Sequence, residues 1–600
     1  MKKRSLLLSA AAFACVAGMN VSAADVQVPE GAGGKMTSLL PDGVAANVDH
    51  EEKDYGPKTI AIAGSADKGY KAFFCADDGV HGEELWVTDG TEAGTHMVKD
   101  INPGMATSNI QYPTRFNDKV VFSADDGENG QELWISDGTE EGTYMVADIH
   151  MIGDSDPLGF CQLNEKQFVF FAKDMDSETY GQNGQRWLWV SDGTEDGTSL
   201  VKEVETMFPG REPLDNRFGP VVRVGRKVFF IGDVADKDGI TYGDELWVTD
   251  GTADGTYMVK DINREVNKNS TYEGSTNGAA IAHLCNFYNE KLFFKAWSWD
   301  SGNEPWATDG TEEGTYEIFN TNPTSNPNKL DDNGVPMGNG GGVTKVGRPA
   351  MGHIFFRSYT PEVGNELGMT NCEEGDYKIF DCDTYAPTQD SHSYPDDGVE
   401  FDGYYVFCCN RGMRDGVTDP VQYGGELNVC DGEKTWVQYD FNPGKGATWT
   451  RELTVVNGSL YWSNSGNKDG HNWTITRLDK VDGGVPVTIS NLHPTDDMAY
   501  TLRNLDGKLI FFANSTKNIY CYEYTNPEAD LKKNPDTMDI EFRTRKEIAD
   551  GVGGVENVAT DVNADAPAEY FNVQGMRVNA NTPGMYIRRQ GDKATKVIIK

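Results

Sequence analysis

Basic residues are scarce in this chain. It carries 53 Lys and Arg against 94 Asp and Glu, a formal net charge of −41. A field of that sign repels nucleic acid and anionic lipid and helps keep an exported chain in solution. Long apolar runs are missing after the first residues, so no later segment reaches the ~20 residues of a membrane-spanning helix. Sustained helical periodicity is missing as well, which turns attention to short strands and tight turns. HExxH, GxSxG, the P-loop and a GxGxxG in a βαβ setting do not occur, so the common metalloprotease, serine-hydrolase and nucleotide-binding signatures are excluded. The 9 His are scattered without ligand spacing, and no CxxC pair offers a cysteine zinc site. Paired carboxylates for glycoside hydrolysis stay open, because their separation cannot be read from sequence.

What is present begins with a leader. Lys2, Lys3 and Arg4 precede the apolar stretch Ser5–Met19, and Val21-Ser22-Ala23 fits a small-residue cleavage site. Residues 1–23 are therefore expected to be a signal peptide. Of the 10 Cys, only Cys15 lies in it, which leaves an odd number in the mature chain. Cys372 with Cys382, and Cys408 or Cys409 with Cys430, are candidate local bridges; the alternative is small buried hydrophobes.

Residues 24–57 lack periodicity and predict a flexible lead-in. From 58 to 550 a unit returns at steps of about 50–60 residues, which marks stacked modules. Its core is GEELWVTDGTEAGTHMVKDINPG at Gly82–Gly104, nearly repeated at Gly130–Ile149, Gly184–Val204 and Gly243–Asn263, and more loosely at Gly302–Pro323. Eroded copies follow at Gly364–Asp381 and Gly424–Gly444. Each unit predicts four short strands. In the second unit they are Tyr112–Phe116, Lys119–Ser123, Glu132–Ser136 and Thr143–Ile149. The first two are joined by a tight turn such as Asn117-Asp118, and the second carries K-x-F-F, as in Lys71–Phe74. Second strands near residues 73, 121, 169, 229, 293, 355, 406, 461 and 510 give the expected architecture. It is all-β: a single large β-propeller of eight or nine four-stranded antiparallel blades, with two smaller propellers as the alternative. Residues 551–566 read as a linker. Residues 567–600 turn basic and alternate, which predicts a small C-terminal β segment.

The repeated residues divide by role. Trp86, Trp134, Trp189, Trp247 and Trp306 are expected to weld neighbouring blades. Asp89-Gly90, Asp137-Gly138, Asp192-Gly193, Asp250-Gly251 and Asp309-Gly310 supply turn residues with positive φ at the glycine. Glu84, Glu132, Glu245, Glu304, Glu366 and Glu426 lie two positions before the Trp position. They are either a cation-binding carboxylate ring or buried blade-to-blade latches, with the K-x-F-F lysine as the candidate partner. In a four-stranded meander the strand 2–3 loops share a face with the blade-to-blade loops. The long, varied loops fall in these two classes, so one face is monotonous and the other diversified. Function is expected on the diversified face and its channel mouth. Asp236 and Asp238, in Asp-x-Asp-Gly, resemble a fragment of a calcium loop. Trp297 and Trp299 share one side of a strand and are candidates to stack on a sugar or to fill the core.

The near-literal E-L-W-V-T-D-G-T of three units is similar to the ELWxxDGT repeat proteins among exported bacterial polypeptides. The resemblance is strong over roughly residues 80–320 and fades towards Gly444. It implies a secreted repeat fold and brings no catalytic residues. Tyr570–Val578, then Pro583–Ile587 and a basic ending, look like the C-terminal sorting segments of Bacteroidetes proteins exported by the type IX route. That implies outer-membrane secretion machinery as a partner of residues 567–600 and a cell-surface or extracellular location, with the periplasm as the alternative. The expected function is a non-enzymatic binding protein for a glycan or protein ligand. The alternatives are a propeller glycoside hydrolase or lyase with carboxylates at the channel mouth, and a structural envelope component.

Overall fold

The computed structural model describes residues 28–529 apart from 49–57, 66, 175–185, 207–220, 235–239, 265–275, 324–341, 383–391, 397, 412–422, 440–449, 466–472, 492–498, 515 and 528; beyond them it describes the strands within 569–599. Every regular element among the described residues is a β-strand. They form a β-propeller of nine antiparallel four-stranded blades. Blade 1 runs Ala61–Ser65, Gly69–Asp77, Glu83–Thr88 and His96–Lys99, and blade 2 Gln111–Phe116, Lys119–Asp125, Gln131–Ser136 and Tyr144–Ala147. The second strands of blades 3 to 9 are Phe168–Ala172, Lys227–Asp233, Lys291–Ser298, Ile354–Thr360, Tyr404–Arg411, Ser459–Ser465 and Lys508–Ala513.

The second strand explains why the blades cannot stand alone. Successive side chains of a strand point to opposite faces, and here both faces are buried. Phe73 packs towards blade 2 and Phe74 towards blade 9. The same division holds for Phe229 and Phe230, Phe293 and Phe294, and Phe355 and Phe356. Nine apolar clusters result, one at each junction between neighbouring blades, the last uniting blade 9 with blade 1. A pair of smaller propellers would need two closing junctions, so the nine-blade ring replaces that alternative.

Closure comes from the N-terminal segment. Lys35–Ser38 pairs antiparallel with Asn518–Glu523 as the fourth strand of blade 9, in the register Lys35↔Glu523 to Ser38↔Tyr520. Ala45–Asn47 then joins the second strand of blade 1 beyond the end of its first strand. Part of the expected lead-in 24–57 therefore belongs to the propeller. A separate unit, residues 549–600, contains one four-stranded antiparallel sheet in the order Arg577–Val578, Glu569–Phe571, Gly584–Gln590, Lys593–Ile599.

The nine cysteines of the described residues are free thiols, eight of them buried. Geometry opposes the candidate bridges. Cys408 and Cys409 lie opposite Leu427 and Glu426, whereas Cys430 lies opposite Tyr405. Cys372 and Cys382 pack into the clusters on opposite sides of blade 6.

Candidate functional site

The recurring Asp-Gly-Thr turn is a closed hydrogen-bond unit. Asp89 Oδ1 accepts from the Thr91 amide at 2.9 Å and the Thr91 hydroxyl at 2.6 Å. Thr91 Oγ1 accepts from the Gly94 amide at 3.0 Å, and the Thr88 and Thr95 hydroxyls meet at 2.6 Å. Gly90 and its four counterparts have φ between 83 and 88°. The second glycine is required by space: a Cβ at Gly94, Gly142, Gly197, Gly255 or Gly314 would lie 2.0–2.2 Å from the aspartate oxygen. Each Asp is thus consumed by its own turn.

The repeated Trp side chains face the preceding blade and sit in the junction clusters. Each lies opposite the second aromatic of the neighbouring strand, as Phe230 opposite Trp247 with ring centroids at 6.4 Å. A lysine of the preceding blade's fourth strand covers three of them. Lys99, Lys202 and Lys260 lie 5.8, 5.5 and 6.0 Å from the Trp134, Trp247 and Trp306 rings. Each also donates to a carbonyl of the next blade, at Thr143, Thr256 and Thr315. The K-x-F-F lysine forms another clasp: Lys71 and Lys227 donate to Asp137 O and Asp309 O of the next blade at 3.0 and 3.2 Å.

The glutamates do not meet that lysine. All six have zero exposed surface. Glu84 accepts from the Ile101 amide at 3.0 Å, and Glu132 from the amides of Ile149 at 2.9 Å and Ser155 at 3.0 Å. Glu366 accepts from the amides of Cys382 at 2.9 Å and Ser393 at 3.0 Å. The carboxylate therefore ties together the two ends of the loop between blades. The residues opposite are small (Ala76, Ala124, Gly232, Ala296, Ser358 and Cys409), which leaves room for it to bend. Burial pushes the carboxyls of Glu84 and Glu132 up to about 7, Glu366 to about 8 and Glu245 to about 9. They are loop anchors with no access to solvent.

The described loops associate as the strand order requires. Glu83 O accepts from the Ser108 amide at 3.1 Å, and Asp244 O from the Ala279 amide at 3.0 Å, so each strand 2–3 loop packs on the loop leaving its own blade. Two acids of these loops cap their own loop. Asp78 Oδ1 caps the amides of Val80 and His81 at 2.8 Å, and Asp126 Oδ1 those of Glu128 and Asn129 at 2.9 and 2.8 Å. Asp236 and Asp238 lie outside the described residues. Among the described residues, no three His, Cys, Asp or Glu come together in a metal-holding group.

Trp297 and Trp299 stand at the loop-rich end of the second strand of blade 5. Their rings meet edge to face with centroids 6.3 Å apart. Trp297 is half-buried, Trp299 is 38% exposed, and neither belongs to a junction cluster. Beside them lie cations that the repeat does not specify. The position after the second aromatic holds Lys295 in blade 5 and Arg357 in blade 6. The register puts Cys75, Ser123, Phe171, Ile231, Cys408, Ser463 and Phe512 there in the other blades. Lys345 lies opposite Arg357 and pairs with Asp396. His283, at φ 57° in a bulge of the first strand of blade 5, completes the group. Burial, and then Lys295, Arg357 and Lys345 in turn, push its imidazole down to about 3, so it is neutral at physiological pH. The signal that would have found these residues is the break in the K-x-F-F pattern, where a cation replaces a small or apolar residue.

No family model matches the chain, and no curated protein matches it. Solved structures with partial similarity include one from a study of two prolyl endopeptidases, at 12% identity over 67% of this chain and 54% of that one, TM-score 0.33. Another is a puromycin hydrolase, at 13% identity over 80% and 61%, TM-score 0.31. A third is a puromycin-hydrolyzing peptidase of Mycobacterium tuberculosis, at 12% identity over 67% and 57%, TM-score 0.30. The chain thus spans less than two thirds of the length of each of these structures.

Proposed function

We propose that this chain is an exported or cell-surface β-propeller that binds a glycan on its loop-rich face. The observation that carries this is the Trp297–Trp299 pair: large aromatic surface outside the junction clusters, partly open, on a rigid strand at the diversified face. The six buried glutamates have no exposed surface to offer a substrate, and Glu84, Glu132 and Glu366 accept from backbone amides of the loop between blades. The test is a glycan-array screen of residues 24–548, with and without calcium, followed by chromatography of the bound sugar. The expected result is binding without shortened products. Released fragments would instead establish the glycosidase or lyase alternative, and selective capture of a protein would establish a protein ligand.

Trp297→Ala with Trp299→Ala is expected to weaken binding of any array hit by about tenfold or more, the size of effect associated with aromatic anchors. The melting temperature should stay near that of the parent, because neither side chain belongs to a junction cluster. Unchanged affinity in a folded double variant would remove these residues from the site.

Export is part of the same proposal, with residues 1–23 as leader and 567–600 as the segment read by the outer-membrane machinery. Deleting 567–600 is expected to leave the propeller folded but retained in the periplasm, as fractionation and immunoblotting would show. Undiminished surface or medium levels would overturn the sorting role.

A further inference from the structure

We infer that the glycan is anionic, and that carboxylate- or sulfate-bearing sugars are held at the loop-rich ends of the junctions flanking blade 6. The inference rests on the glycan-binding function proposed above and names its ligand class.

The alternation of the second strand sets the geometry. Lys295 and Trp297 share the side of Phe293, which packs into the junction between blades 5 and 6, and Trp299 follows just past the strand end. Arg357 and Tyr359 share the side of Phe355, which packs into the junction between blades 6 and 7. Both strands run towards the loop-rich face. Each junction therefore presents a cation deep and an aromatic nearer the rim.

The second junction is further furnished by the loop after blade 6. His392 lies 6.2 Å from the Tyr359 ring and 5.2 Å from the Tyr394 ring. The Arg357 guanidinium lies 5.9 Å from the Tyr394 ring, and Tyr394 is 48% exposed. Lys345 joins from the first strand of blade 6, with Asp396 as its partner. Asp396 pairs with Lys345 and Asp300 is exposed, while the half-buried carboxyl of Glu317 and the buried one of Glu366 accept from Ser301 and Ser393 and are raised above the usual range by burial, towards their neutral form.

Two features argue that these cations serve a ligand. Lys295 forms no hydrogen bond or ion pair among the described residues, and burial pushes its ammonium below the usual lysine range. A half-buried cation is costly to keep unless something offsets it. The chain is also strongly acidic, so an anionic ligand is repelled everywhere except where cations gather. Like-furnished junctions separated by about one sheet spacing, ~10 Å, suit a chain of charged sugars better than one small anion. Aromatic faces take the sugar rings while Lys and Arg take the charged groups.

The experiment measures affinity of the full mature chain for polygalacturonate, its methyl-esterified form, chondroitin sulfate and polyglutamate, between 50 and 500 mM NaCl, over which the Debye length falls from about 14 to about 4 Å. Binding of polygalacturonate or chondroitin sulfate, about tenfold or more tighter than the esterified polymer and weakening with salt, is expected; polyglutamate should not compete. The carboxylated and sulfated polymers tell the two anionic groups apart. Lys295→Gln with Arg357→Gln should lose about tenfold or more for the acidic polymer while leaving the melting temperature in place. Equal affinity for free and esterified polymer, indifference to salt, or equal binding of polyglutamate would overturn the inference, and the first two would leave glycan binding intact. Failure of every sugar to bind would overturn the proposed function with it. Should the double variant not fold, the esterification and salt comparisons on the parent chain decide.

Discussion

A chain beginning at residue 49 is expected to lose its cooperative melt, or to melt more than ~10 °C below the parent, and to aggregate. The reason lies at the junction of blades 9 and 1. Without Lys35–Ser38, the strand Asn518–Glu523 becomes an open edge, and an open edge pairs with other chains. Leu39 and Leu40 also leave the cluster they fill with Trp86, Ile510 and Phe512. Burying such a side chain contributes ~1.5–3 kcal/mol, so the two are a sizeable part of the ~5–15 kcal/mol that stabilises a typical domain. Polar contacts go with them. The Leu39 amide donates to Ile519 O at 2.9 Å, Arg477 to Ala32 O at 3.0 Å and the Tyr522 hydroxyl to Gly33 O at 2.9 Å. Leu39→Ala alone should cost ~2–5 kcal/mol, measured by denaturant titration. Adding a peptide of residues 28–48 to the shortened chain should restore part of the melt. An unchanged melt of the shortened chain would mean that the ring closes without its N-terminal strand.

The contrast between the legible and the illegible parts of this fold has a physical basis. Strands carrying K-x-F-F or E-L-W announce themselves because both faces are buried, so every residue is constrained. The second unit's expected strands fall within about two residues of Gln111–Phe116, Lys119–Asp125, Gln131–Ser136 and Tyr144–Ala147. Lys-Met-Thr-Ser at 35–38 carries no such pattern. It is a fourth strand, mostly half-exposed, and its partner lies more than 480 residues away. Sequence patterning has no access to so distant a pairing. Glu84 and its counterparts were legible as a recurring position but not as loop anchors, because most of their partners are backbone amides, which leave no mark in sequence. The cations of blades 5 and 6 were legible in principle, as departures from the pattern. Lys295 and Arg357 stand where the repeat is silent, so the repeat itself does not point to them.

Stability is expected to fall as pH rises from about 5 to about 9, and the buried glutamates are the cause. The ordinary Glu value is 4.5, and in the folded chain burial raises Glu245 to about 9, with Asp261 and Asp244 adding to the effect. Folding therefore binds a proton that the unfolded chain has released. Stability from such a group is fully present below the unfolded value and is lost as pH climbs through the folded one. Glu84 and Glu132 follow to about 7, and Glu366 to about 8. Each contributes a slope of at most ~1.4 kcal/mol per pH unit within its own window. Asp78, held near 2 in its loop, acts in the opposite sense, but only in acid and outside this range, whereas the neutral His283, held near 3 against an ordinary 6.5, offsets part of the loss between pH 5 and about 6.5. Glu245→Gln separates charge from hydrogen bonding. The amide oxygen can still accept from Asn263, as the Glu245 oxygen does at 3.3 Å, and nothing remains to ionise. Its melting temperature should match the parent near pH 5 and exceed it increasingly towards pH 9. Glu245→Ala should be destabilised at every pH, by ~1–3 kcal/mol for each amide left without an acceptor, and more for the cavity. If parent and Glu245→Gln melt in parallel from pH 5 to 9, the carboxyl is ionised throughout. The anchor would then act as a charge-assisted acceptor for the loop between blades, and the alkaline loss of stability would have to originate elsewhere.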